Sequence, residues 1–151
     1  MITRNVRYAL RMVIRLAITN RAVTSKELAE TECITHRFAL KLLYYLKNAG
    51  ILKSLRGRSG GYVLAKDPSQ IRLLDIFVAV GSDITIVNCN PSCDLFNSCY
   101  AKDFWHCLNS LFKKIFEHTT IAHIMNNRCP EELRVLSLDY EESKHVPSLE
   151  K

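Results

Sequence analysis

Apolar residues recur along the first 80 positions with the period of helices, interrupted once by a short stretch with the period of strands. Over residues 4–19, Arg4, Arg7, Arg11 and Arg15 fall within about 80° of one another at about 100° per residue. Val6, Leu10, Val13, Leu16 and Ala17 lie mostly opposite, which predicts an amphipathic first helix. A second helix is expected from VTSKELAE, where Thr24 and Glu27 stand in capping-box register. Thr35 can cap a third, THRFALKLLYYLKNAG, closed by Gly50. Phe38, Ala39, Leu42, Leu43, Leu46 and Ala49 share one side of it. The other side carries His36, Arg37, Leu40, Lys41, Tyr44, Tyr45, Lys47 and Asn48, a basic and aromatic face. Two strand-like runs follow, ILKSL and YVLA, joined by RGRSGG; Gly57, Gly60 and Gly61 are expected to supply positive φ for a hairpin with Arg56 and Arg58 at its tip. Asp67-Pro68 then opens a fourth helix through about residues 71–81.

The pattern changes beyond residue 81. NCNPSCDLFNSC, residues 88–99, has no apolar period and reads as a loop. A long helix is expected from about Ala101 to His118, with Phe104, Trp105, Leu108, Leu111, Phe112 and Ile115 in one wide apolar stripe. That stripe is too large for a short terminal helix to cover, which predicts a homodimer built on it. Thr120 can cap a last helix, IAHIMNN. The chain therefore divides into a helical module with a hairpin at 1–80, a cysteine loop at 81–99, a long helix and its short successor at 100–128, and a polar, acidic and partly disordered tail at 129–151. The fold class is mainly α with a small β-hairpin wing: a winged helix-turn-helix plus a long dimerisation helix.

Charge sharpens this division. The whole chain carries +6, but residues 1–66 hold 13 Lys or Arg against 3 Asp or Glu. Residues 67–129 hold 5 against 6, and residues 130–151 hold 3 against 6. Positive charge confined to the helix-turn-helix and hairpin predicts a phosphate-facing surface, with double-stranded DNA as the partner and a palindromic operator for a twofold dimer. In that arrangement the first turns of the third helix enter the major groove. The candidate contacts are Thr35 to phosphate, Arg37 or Lys41 to guanine, His36 beside them, and Tyr44 nearer the backbone, while Arg56 and Arg58 suit a narrow minor groove. The arginine stripe of the first helix either supports phosphate binding, faces a partner subunit, or is simply solvated. No apolar run is long enough to span a membrane, and no secretory signal is evident, so a cytoplasmic location is expected. No phosphate-cradling loop, catalytic triad motif or C-x-x-C pair occurs, so an enzyme is not expected.

The chain has six cysteines, and three of them, Cys89, Cys93 and Cys99, share the loop with spacing C-x3-C-x5-C. Four fates are open to these thiols. A permanent disulfide is disfavoured in a reducing compartment. Structural zinc wants four closed ligands and commonly a C-x2-C knuckle, which is missing. Inert core cysteines sit poorly on a loop with Asn90, Pro91 and Asn97. An iron–sulfur cluster uses thiolates as its usual ligands and tolerates irregular spacing on a loop. His106 and Cys107 are the candidates for a fourth ligand. Cys33 and Cys129 read as structural or incidental.

Three segments together carry a family likeness: RYALRMVIRLA near the start, LKNAGILKSLRGRSGGYVLAKDPSQI through the wing, and the cysteine loop leading into FWHCL. Over about residues 1–125 the chain resembles the Rrf-two-type winged helix-turn-helix transcription regulators, a family with iron–sulfur, nitric-oxide-sensitive and cysteine-metabolism members. The resemblance implies dimeric DNA binding through the third helix and wing, with the long helix as dimer contact. It also implies that Cys89, Cys93 and Cys99 match the thiolates of the cluster-bearing members, holding a [2Fe–2S] or [4Fe–4S] cluster. Lys102 stands where some members place a histidine ligand, and Arg7 where others donate an acidic one from the partner's first helix. The expectation is a regulator that senses redox state, nitric oxide or iron status, a repressor rather than an activator. The alternatives are a clusterless thiol-redox or cysteine-metabolism repressor, and an interaction protein controlling a metabolic enzyme by complex formation.

Overall fold

The computed structural model describes residues 2–57 and 59–126. Arg58, Cys129 and the acidic tail, with its expected disorder, lie outside the described residues. Helices α1 (Arg4–Thr19), α2 (Ser25–Thr31) and α3 (His36–Asn48) precede the hairpin of β1 (Leu52–Leu55) and β2 (Gly61–Leu64). A 3-10 turn at Pro68–Gln70, α4 (Leu73–Ala79), α5 (Lys102–His118) and α6 (Ile121–Met125) complete the order. This is a winged helix: a helix-turn-helix of α2 and α3, followed by a two-stranded antiparallel wing.

The helix starts expected from side-chain caps form as expected. The Thr24, Thr35 and Thr120 hydroxyls accept from Glu27, Phe38 and His123 N–H respectively, and Thr3, which the spacing did not single out, caps α1 by accepting from Val6 N–H. The reciprocal half of the α2 capping box does not form. The Glu27 carboxylate turns instead to the Arg21 guanidinium, at 2.5 and 3.2 Å, and that hydrogen bond holds its pKa below the usual carboxylate range. At the end of α3, Gly50 adopts φ +68°, and Ile51 N–H donates to Leu46 O at 3.0 Å, which turns the chain sharply into β1. The fourth helix is shorter than the apolar pattern implied. The Asp67 carboxylate caps a 3-10 turn, and Arg72 N–H donates to Asp75 Oδ2 at 2.9 Å to open α4 one turn later.

The core lies where α1, α3 and α4 meet the wing. Met12, Val13, Leu28, Leu42, Leu43, Leu46, Leu52, Ile71 and Ile76 are fully buried there. Val23 adds a bridge to the hairpin edge, exchanging hydrogen bonds with Tyr62 at 2.8 and 3.1 Å. Gly61 makes this approach possible, since a Cβ there would lie 2.7 Å from Val23 O. Gly60 does not take positive φ as expected; it is glycine because a Cβ would stand 2.5 Å from Leu55 O. After α5 the chain returns to this core. Leu73 N–H donates to Thr119 O and Ile121 N–H to Ile71 O, at 2.8 and 2.9 Å, and Ile121 is completely buried. The C-terminal end of α5 is thus tied to the winged module through Thr119 and α6.

Candidate nucleic-acid interface and cysteine loop

The exposed face of α3 follows from its sequence spacing. With Ala39, Leu42, Leu43 and Leu46 buried, His36, Arg37, Leu40, Lys41 and Tyr44 point away from the core. All five are exposed, and so is Arg56 on the wing. Thr35 serves first as the α3 cap, its Oγ1 3.4 Å from Phe38 N. His36 is tied across the helix-turn-helix by a bond the sequence pattern did not reveal, Nε2 to Ser25 Oγ at 2.8 Å. Lys41 Nζ stands 5.9 Å from the Tyr45 ring centroid, and Tyr45 packs edge-on against Tyr44.

The arginine stripe of α1 divides by role. Arg11 Nε and Arg15 Nε reach the two carboxylate oxygens of Glu32 at 2.6 and 3.3 Å. Glu32 ends α2 and is only 2% exposed, so this pair of guanidinium groups neutralises a buried carboxylate. Arg4 lies over the Tyr8 and Phe38 rings at 5.6 and 5.0 Å. Arg7 is exposed. Nothing in the sequence distinguished Glu32 from other solvent-facing acids, because its partners lie 17 and 21 residues away.

The cysteine loop is a succession of tight turns. Ser92 N–H donates to Asn90 Oδ1, Cys93 N–H to Asn90 O, Phe96 N–H to Cys93 O, and Ser98 N–H to Leu95 O, at 2.9–3.1 Å. At its entrance the Asp83 carboxylate accepts from the Thr85 hydroxyl and N–H, which hold its pKa below the usual range. The loop is then clamped to α5 by Asn109. Its Oδ1 accepts from Ile86 N–H at 2.9 Å and Val87 N–H at 3.4 Å, and its Nδ2 donates to Val87 O at 2.8 Å. This clamp ends two residues before Cys89. Cys89 and Cys99 are half-buried and Cys93 exposed, all as free thiols. Among the described residues, no three His, Cys, Asp or Glu side chains are gathered closely enough to hold a metal ion. The donor chemistry nevertheless suits an iron–sulfur cluster: three soft thiols on a segment whose hydrogen bonds reach only two or three residues along the chain. His106 and Cys107 are exposed on the first turns of α5.

No residue of α5 is buried. Phe104 and Phe112 are exposed, and Trp105, Leu108, Leu111 and Ile115 are half-buried. The helix meets the module through Phe116, whose ring centroid is 4.7 Å from that of Phe77. Phe77, Phe112, Phe116, Ile84 and Ile86 line a mainly apolar cleft of about 180 Å³ beneath it. No described helix is long and apolar enough to cross a membrane.

Comparison with known proteins agrees with this architecture. A family model described as Rrf2, iron-dependent transcriptional regulator, matches residues 2–127. An HTH-type transcriptional regulator of Aquifex aeolicus is 32% identical over 127 residues, covering 80% of this chain and 88% of that protein. The HTH-type transcriptional regulator IscR of Yersinia pseudotuberculosis is 26% identical over 126 residues, 81% of this chain and 77% of its own. Among solved structures, CymR, the global cysteine regulator of B. subtilis, superposes with a TM-score of 0.73 at 26% identity, covering 84% of this chain and 97% of CymR. The family model spans nearly all of the described residues, which hold the helix-turn-helix, the wing and the long helix after the loop, and the chain belongs to the Rrf2 family of transcriptional regulators.

Proposed function

We propose that this chain is a homodimeric, cytosolic repressor whose affinity for a palindromic operator is set by the chemical state of Cys89, Cys93 and Cys99. The observation that carries the reading is the position of the cysteine loop. Asn109 joins it to α5, and α5 joins it through Thr119 and Ile121 to the module bearing the exposed basic face of α3. A change in the loop is therefore transmitted to the helix on which a second subunit would pack. Thr35, His36, Arg37, Lys41 and Tyr44 contact the operator from α3, and Arg56 and Arg58 from the wing. Phe104, Trp105, Leu108, Leu111, Phe112 and Ile115 supply the dimer contact.

The three thiols would hold an iron–sulfur cluster, [2Fe–2S] or [4Fe–4S], with His106 or Cys107 as fourth ligand; bound there, it supplies an iron site responsive to oxidants, nitric oxide or iron loss. The test is anaerobic purification followed by absorption spectroscopy with iron and sulfide assays. A visible chromophore with iron and sulfide in stoichiometric amount is expected, lost in Cys93→Ala. A colourless protein that stays iron-free after reconstitution overturns the cluster.

The likeness to CymR favours a second reading, a clusterless thiol switch on the same loop. It is distinguished by DNA binding of the iron-free protein that responds to oxidant and is restored by a thiol reductant. An interaction protein without operator affinity is excluded by salt-dependent binding to a duplex that falls in Lys41→Ala.

A further inference from the structure

At the centre of the basic face of α3 stands an aliphatic side chain. Leu40 is 42% exposed, one helical turn from both His36 and Tyr44 and flanked by Arg37 and Lys41. It belongs to no part of the core: the buried positions of α3 are Ala39, Leu42, Leu43 and Leu46. The ring of His36 is tied sideways to Ser25 of α2, which leaves the middle of the face to Leu40.

We propose that Leu40 is a specificity-determining residue of the DNA interface, reading the 5-methyl group of a thymine in the major groove. The inference rests on the DNA-binding reading above. Its cationic neighbours bring this face to the phosphates and hold it in register, but they do not occupy its midpoint. Leucine neither donates nor accepts a hydrogen bond. Set against guanine, cytosine or adenine it leaves a polar base edge desolvated and unpaired; set against thymine it meets the single apolar group that the major groove presents. Arg37 and Lys41 then read or anchor the pairs on either side, and the Leu40 contact selects T·A at one position of each half-site.

The test uses the full-length protein, in its anaerobic and its oxidised form, and a pool of random duplexes from which bound sites are enriched. Each thymine of the enriched site is then replaced by deoxyuridine, which deletes the methyl and leaves pairing and charge intact. At one position per half-site, affinity is expected to fall about fourfold, the effect of removing one buried methyl from a contact. Leu40→Ala is expected to bind thymine and deoxyuridine duplexes equally there, while keeping the wild-type salt dependence and thermal stability. A site that enriches but shows no methyl-dependent position, or whose methyl dependence survives Leu40→Ala, overturns the inference and leaves the DNA reading standing. A pool that enriches no site under either condition overturns both.

Discussion

Glu32 shows how a single residue sets the geometry of the DNA-reading module. Its carboxylate is removed from water at the end of α2, immediately before the turn into α3, and both of its oxygens are taken by α1 arginines. A buried carboxylate without those donors would be costly, so α1 and the helix-turn-helix turn are held together by necessity as much as by attraction. The same bonds commit Arg11 and Arg15 to a partner within the chain, although both stay half-exposed. Glu32→Ala is expected to lower stability by about 1–3 kcal/mol, with two half-exposed guanidinium groups left unpaired. Urea denaturation checks this, and an unchanged midpoint would mean that the pair is idle. At this scale the sequence was legible only in part. The Thr24, Thr35 and Thr120 caps act over three residues and were readable from spacing, whereas the partners of Glu32 and the Ser25–His36 bond are assembled by folding.

Among the elements, the cysteine loop and α5 behave as one unit because Asn109 supplies three hydrogen bonds to backbone that has no strand or helix of its own. Asn109→Ala leaves the Ile86 and Val87 groups to compete for water, at about 1–3 kcal/mol of local stability. Hydrogen exchange at the Ile86 and Val87 amides is expected to accelerate by one to two orders of magnitude by that measure, while Leu42 and Leu46 keep their protection. If exchange at residues 86 and 87 is unchanged, the loop is not coupled to α5 by this side chain. The wing illustrates the opposite case, an element almost wholly visible beforehand. Strand-like runs flanking RGRSGG specify a hairpin locally; only the reason for Gly60 differed, and at Gly61 a close approach to Val23 adds to the positive φ, since such approaches cannot be seen in one segment.

The whole molecule presents a mismatch between what it covers and what it exposes. Its core is centred on α1, α3, α4 and the wing, while a 17-residue helix rich in aromatic side chains contributes nothing buried. Phe104 alone remains 60% exposed. A stripe of this kind marks an interaction surface, and the proposed homodimer would cover it with the same stripe of a second subunit. Leu111→Glu with Phe112→Glu is expected to turn a dimer into a monomer in sedimentation at micromolar concentration, and to lower operator affinity by at least tenfold as the second half-site is lost. A wild-type chain that sediments as a monomer would defeat the dimer reading. The operator complex should weaken steeply with salt, because the positive charge lies in the half of the chain that carries α3 and the wing.

The features legible from residue spacing are local: helix period, capping threonines, the glycine turns of the wing, and the segregation of basic residues from the thiol-bearing loop. Each depends on residues within a few positions of one another, where spacing alone decides which groups can meet. The fold class and the family likeness were legible for that reason. Packing between distant elements is what buries Glu32 between two arginines, brings Asn109 onto the cysteine loop, returns α6 to the core, and leaves Leu40 open among cations. Those outcomes depend on which faces are covered by elements distant along the chain, and burial, unlike periodicity, is a property of the packed whole.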